Sequence, residues 1–165
     1  MIAVLGAGPH GRQIAHDLHT DRLYDDNLDG YEPILQGARW HRWVVGAVWP
    51  QVRQEIVEKV AGEAVEPHQN GIVRFPHTFI GVEVDLGVHV HILPGANISH
   101  GVHLGDFVTV ATGANVCGEA FIDTAAFIGA GATVIHGGLK IGAGAVIGAG
   151  CTVRRDIEPG EVVRC

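Results

Sequence analysis

Large aliphatic side chains return every sixth residue along one stretch of this chain: Ile80, Leu86, Ile92, Ile98, Leu104, Val110, Val116, Ile122, Ile128 and Val134. After a one-residue slip at Gly137–Lys140 the count resumes at Ile141, Ile147 and Val153. A second row follows four residues after the first: Val84, Val90, Ala96, Val102, Val108, Ala114, Ala120, Ala126 and Ala132. Neither an α-helix nor an alternating strand has a period of six. Self-similarity this strict marks a repeat architecture.

Six residues make one short strand and one tight turn. Three such units close a triangular coil of eighteen residues, and stacked coils lie one strand spacing apart, about 4.8 Å. The first row then points into a prism and the second row fills its corners, where only small residues or Val fit. One coil buries little alone, so stability comes from stacking its neighbours. An antiparallel sandwich is the bland alternative, but its turns would recur every eight to twelve residues or so. The high glycine count, 24 of 165 residues, suits a structure with a corner every six residues.

The hexads resemble those of left-handed parallel β-helix acyltransferases. That resemblance implies the handedness, which runs against the usual right-handed crossover. The residues before Phe79 leave room for one small domain ahead of the prism. We expect a division at 1–70 and 71–165, an α/β half-Rossmann-like domain followed by the β-helix.

The first domain opens with a buried strand, Ile2-Ala3-Val4-Leu5, running into Gly6-Ala7-Gly8-Pro9-His10-Gly11. A helix follows over Arg12–Leu18, with Ile14, Ala15 and Leu18 on one side. Strand, glycine turn and helix start make an anion or nucleotide cradle. The string also fits the dinucleotide fingerprint G-x-G-x-x-G. The acidic pair Asp25-Asp26 arrives early for that role, however, and a full doubly wound domain needs more residues than precede the prism. A third parallel strand is expected within Trp43–Val48, then an amphipathic helix Gln51–Val60 with Val52, Ile56 and Val60 facing inward.

Gly-Ala-Gly-Pro-His-Gly-Arg followed by Leu23-Tyr24-Asp25-Asp26-Asn27 is similar to the start of sugar acetyltransferases of the bacillosamine and sialic-acid O-acetyltransferase type. The resemblance implies that Gly8, Pro9 and His10 contact a nucleotide-linked sugar and that Asp25 and Asp26 hold its base. It also implies acetyl-CoA as co-substrate and a homotrimer with active sites between subunits.

Acetyl transfer requires a base for the nucleophile's proton and a donor for the developing oxyanion. The segment Ser99-His100-Gly101-Val102-His103-Leu104-Gly105-Asp106-Phe107 resembles the family's [acid]-His-[acid]-x-x-Ile-Gly-[acid]-Phe, which implies His100 as general base. Ser99 and Gly101 stand where the flanking acids would be. Counting eighteen residues from Gly101 reaches Glu119, one coil higher, so Glu119 is expected to orient His100; Asp106 or a backbone carbonyl is the fallback. The same count puts His136 on the face of His100. His89, His91 and His103 are expected to face solvent or a neighbouring subunit. Cys117 lies near enough in the repeat to leave an acyl-enzyme open.

Between Arg74 and Lys140 the chain has no lysine or arginine, and Lys140, Arg154, Arg155 and Arg164 then gather in the last coils. A basic end suits the phosphates of coenzyme A; a solvated surface is the bland reading. The family's pantetheine contacts align with Thr109, Ala130 and Ala149. Relatives usually continue past the position of Pro159-Gly160 with a Gly-x-Pro-Ala segment over the adenine, so weaker coenzyme binding or a different closure is expected here.

A net charge of −7 argues against a nucleic-acid partner. No two histidines have zinc spacing, so no metal is expected. Cys117, Cys151 and Cys165 are too scattered for a disulfide framework, and Cys151, a second-row position, is expected to be packing. No apolar run is long enough to insert into a membrane, and the start lacks a secretory leader, giving a soluble, cytoplasmic expectation. The competing class is a non-catalytic scaffold on the same fold.

Overall fold

The structure is a computed structural model that describes residues 2–5, 12, 15, 23–24, 42–45, 47–60 and 68–165. The chain forms two compact units, Met1–Val73 and Arg74–Cys165.

In the first unit, Ile2–Leu5 is the middle strand of a three-stranded parallel sheet, flanked by Leu23–Tyr24 and Arg42–Val45. Leu5, Ala15 and Val45 are buried. A helix spans Pro50–Val60, opened by a proline, whose missing N–H costs nothing at a first helical position. Its buried side differs from the expected apolar stripe. Val52 is 42% exposed, whereas Arg53 is fully buried. The Arg53 guanidinium donates to the carbonyls of Ala47 and Val48 at 2.9 and 2.6 Å, tying the helix to the segment that precedes it. Hydrogen bonding to backbone oxygens is what lets a cation take an inward position. Desolvation lowers its pKa to about 9.

The second unit is a three-walled parallel β-solenoid. The first wall stacks Val73–Arg74, His91–Ile92, Thr109–Val110, Phe127–Ile128, Val146–Ile147 and Val162–Val163. The second stacks Phe79–Ile80, Asn97–Ile98, Asn115–Val116, Thr133–Val134 and Thr152–Val153. The third stacks Asp85–Leu86, His103–Leu104, Phe121–Ile122 and Lys140–Ile141, and Ile141 bridges to Ile157 above it.

Register follows the sequence period. Asn97, Asn115 and Thr133 are rung partners, each eighteen residues beyond the last. The slip at Gly137–Lys140 lengthens the next interval to nineteen, pairing Thr133 with Thr152 and Phe121 with Lys140. The last coil is shorter by two residues than the regular ones, pairing Val146 with Val162. Its turn at Gly160 has φ +71°, and Gly160 N–H donates to the Ala143 carbonyl.

The core sits where the two rows place it. From Ile92 to Ile147 the first-row side chains are at most 1% exposed, and the corner residues Val90 to Ala132 are fully buried. Each inward aliphatic contributes about 1.5–3 kcal/mol by leaving water. Ile80, Val84 and Leu86 are only half-buried, because they belong to the lowest rungs of the second and third walls.

Cys151 is buried in its corner position, as expected, yet it is disulfide-bonded to Cys165. The expectation of unpaired cysteines fails because the shortened last coil returns the chain end to the corner, with Cα atoms 5.6 Å apart. That separation suits a disulfide. His89 and His91 are also buried, at 5% and 0% exposure, instead of facing outward to solvent. His89 lies against the ring of Phe107, one coil above, with centroids 5.0 Å apart. His91 shares a fully shielded column with its rung partner Thr109.

Candidate active site

His100 lies at the corner between the second and third walls, after strand Asn97–Ile98 and before His103–Leu104. Three rung hydrogen bonds fix its backbone: Ser99 N–H to Val116 O, Gly101 N–H to Val82 O, and Glu119 N–H to the carbonyl of His100 itself, at 2.9, 3.0 and 3.0 Å. The imidazole is exposed and leans over the next coil. A Cβ added at Gly118 would come within 2.7 Å of its Cε1 and Nε2. His136, two coils above His100, approaches from the other side, with ring centroids 6.2 Å apart.

Glu119 is where the count placed it. A Cβ built on Gly101 would lie 3.6 Å from Glu119 Cγ. Its carboxylate makes no hydrogen bond to His100, whose imidazole has no hydrogen-bond partner among the described residues. Glu119 also holds a left-handed backbone, φ +66°, at a corner where glycine stands one coil below and one above, Gly101 and Gly138. A side chain there costs about 1 kcal/mol against glycine.

Asp106 lies one corner further round. Its Oδ1 accepts from Val88 N–H at 2.9 Å and its carbonyl accepts from Ala125 N–H at 2.8 Å. That carboxylate secures the turn beneath it; the structure does not bring it to His100.

The residues expected to bind the coenzyme, three by resemblance and three by charge, fall in three places. Thr109 is fully buried on the first wall. Ala130 and Ala149 are exposed neighbours at the corner between the first and second walls, joined by Gly150 N–H to Ala130 O. Lys140, Arg154 and Arg155 are exposed around the corner that carries His100, higher up the coil. Lys140 N–H donates to Asp156 Oδ1. Arg155 is engaged: it forks onto both carboxylate oxygens of Glu161 at 3.2 and 2.6 Å and reaches the Asp156 carbonyl. The hydrogen bond from Arg155, followed by the one from Glu158 N–H, holds the Glu161 carboxyl below its ordinary range, and Glu161 raises Arg155.

The proposed sugar contacts Gly8, Pro9, His10, Asp25 and Asp26 lie outside the described residues. No group of three metal-binding side chains occurs among the described residues, and no helix among them is long and apolar enough to cross a membrane.

One constellation escaped the sequence reading. His103 Nδ1 lies 2.8 Å from Asp85 Oδ2, and its ring stacks on Phe121 at 4.5 Å and 9°. Asp85, His103 and Phe121 are successive rung partners. The eighteen-residue count used for Glu119 would have found them.

No protein-family profile matches the chain, and no curated protein matches it. Solved structures do. The acetyltransferase domain of PglB from Neisseria gonorrhoeae superposes with a TM-score of 0.75 at 20% identity, covering 98% of this chain and 94% of that one. WeeI from Acinetobacter baumannii gives 0.74 at 20% identity, covering 98% and 95%. A mutant of perosamine N-acetyltransferase from Caulobacter crescentus, solved with CoA and GDP-perosamine, gives 0.76 at 20% identity, covering 98% and 91%. This chain shares their fold. At that identity the likeness assigns no residue its role.

Proposed function

We propose that this protein is an acetyl-CoA-dependent acetyltransferase that acylates an amino or hydroxyl group of a nucleotide-linked sugar, with His100 as general base in a ternary complex. The observation that carries the reading is the exposed His100 imidazole lying over the bare backbone of Gly118. It stands at a corner whose upper coils carry Lys140 and Arg154. Support comes from structural neighbours solved with acetyl coenzyme A and with CoA plus GDP-perosamine.

The neutral imidazole has a lone pair free for a proton. The acceptor nitrogen or oxygen attacks the thioester carbonyl carbon, forming the new bond while His100 takes its proton. Collapse of the tetrahedral intermediate breaks the C–S bond, and that proton leaves with the sulfur as free CoA thiol. Glu119, one coil above Gly101, orients the imidazole through a bridging water in this reading, the two side chains making no direct hydrogen bond. Lys140 and Arg154 draw the coenzyme's phosphates to the upper coils, with Arg155 released to them if Glu161 gives way. Ala130 and Ala149 line the pantetheine path in this reading; Thr109, fully buried within the chain, has no exposed surface to offer it.

The resemblance and the shared fold support three further parts of the proposal. The coil is left-handed. The first unit is a half-Rossmann-like sugar-nucleotide domain using Gly8, Pro9, His10, Asp25 and Asp26. The protein works as a homotrimer with its sites between subunits.

A non-catalytic scaffold is favoured by one observation: Asp106, the retained acid of the motif, is spent on a turn. Incubation with acetyl-CoA and UDP- or GDP-linked amino sugars, following thiol release, separates the two. The enzyme reading expects turnover that His100→Ala abolishes. Wild type no faster than that variant on any sugar overturns it.

A further inference from the structure

We propose that His136 is a second catalytic residue of this site, donating a hydrogen bond to the thioester carbonyl oxygen while His100 takes the acceptor's proton; this rests on the acetyl-transfer reading above. Strands Asn97–Ile98, Asn115–Val116 and Thr133–Val134 are consecutive rungs. His100 and His136 follow the first and third of them, so their backbones are two rungs apart, about 10 Å. Their ring centroids are nevertheless only 6.2 Å apart. The two side chains converge on the intervening coil, where Gly118 leaves the space that any β-carbon would take from His100.

The pair is not a stacked packing contact. The rings are tilted by 54°, both residues are exposed, and neither imidazole has a hydrogen-bond partner among the described residues. A neutral imidazole is an acceptor at one nitrogen and a donor at the other, so two of them supply what acyl transfer demands: a base on one side and an oxyanion donor on the other.

The side chains of Glu119 and Arg155 do not fill the donor role, and the Gly118 N–H, which makes no backbone hydrogen bond among the described residues, is the other donor beside His100. Glu119, when ionised, only accepts, and Arg155, next above His136 in this column, is forked onto Glu161. In the step itself the acceptor's lone pair forms the bond to the carbonyl carbon and the carbonyl π pair moves to oxygen. His136 N–H holds that oxygen without transferring its proton. The pair then returns to re-form the carbonyl as the C–S bond breaks, and the proton held by His100 leaves with the sulfur.

The test uses the full chain and two variants, His136→Ala and His136→Gln, the second of which keeps an N–H donor. In the thiol-release assay His136→Ala should lose about 10²–10³-fold in kcat, with KM for acetyl-CoA nearly unchanged, and His136→Gln should recover at least tenfold of it. Acetyl-CoA labelled with ¹³C at the carbonyl gives a readout that needs no acceptor. Its resonance should move downfield on binding wild type and His136→Gln, and stay near the free value with His136→Ala. Wild-type kcat in His136→Ala, a loss carried by KM instead of kcat, an equal carbonyl shift in all three proteins, or a folded His136→Gln as slow as His136→Ala each overturn the proposal. Wild type that neither binds nor turns over acetyl-CoA defeats the acetyl-transfer reading itself, and this inference with it.

Discussion

Glu119 lies within van der Waals contact of where a side chain on Gly101 would begin, its Cγ 3.6 Å from the position of that missing β-carbon. An acid absent from one coil is thus present beside the gap on the next, in a backbone conformation that favours glycine. On the proposed orienting role, Glu119→Gln is expected to lower kcat roughly tenfold to a hundredfold, and to alter the pH profile of kcat/KM. An unchanged profile sinks this role. Glu119→Gly should cost activity in the same way while leaving Tm no lower, since it relieves the left-handed strain.

Gly118→Ala tests the space over which the His100 ring lies. The added methyl would meet Cε1 and Nε2 at 2.7 Å, and the exposed imidazole is free to swing away. Stability should change little, whereas kcat should fall about a hundredfold because the base is misplaced. Thermal melts and thiol release on the same preparation check both. A variant that keeps wild-type kcat shows that the position of the ring is immaterial.

The bond between Cys151 and Cys165 closes a sequence separation of 14 residues. A loop of that length should add about 3 kcal/mol to the stability of the chain. Thiol titration of the native oxidised protein should detect Cys117 alone. Tm should drop on reduction, and Cys165→Ser should melt like the reduced wild type whether or not reductant is present. Identical melting of oxidised and reduced protein rules out a structural role.

The Arg155–Glu161 fork gives the last coil a pH dependence of known sign. Glu161 has a folded pKa lowered first by the hydrogen bond from Arg155, so its contribution is present above the ordinary carboxylate pKa. It is lost as pH falls through the lowered folded value. Arg155 is exposed and Glu161 only half-buried, so the effect is small and screened by salt. The Tm difference between wild type and Glu161→Gln should be present near neutral pH and close on acidification. A difference that stays constant down to strongly acidic pH contradicts this.

The solenoid was legible before any coordinates because its energetics are nearly one-dimensional. From Ile92 to Ile147 each inward residue stacks on its counterpart one coil away, so a count along the chain is also a count through the core. The same ruler placed Glu119 beside Gly101 and His136 above His100. What it missed, it missed where contacts obey something other than the period. Asp106 matched a motif by type, but its Oδ1 is taken by Val88 N–H. Arg155 counted as a free cation until Glu161, brought back by the shortened last coil, forked onto it.

The six-residue period thus determined by itself the walls, the inward rows, the slip before Lys140 and the column on which the candidate base stands, because stacking repeats fix position by number alone. Only the tertiary structure decided which way the side chains lean. His100 and His136 converge over Gly118, Arg53 turns inward in place of Val52, and Cys165 reaches Cys151. Those outcomes depend on local space, hydrogen-bond partners and chain closure, and none of them repeats every six residues.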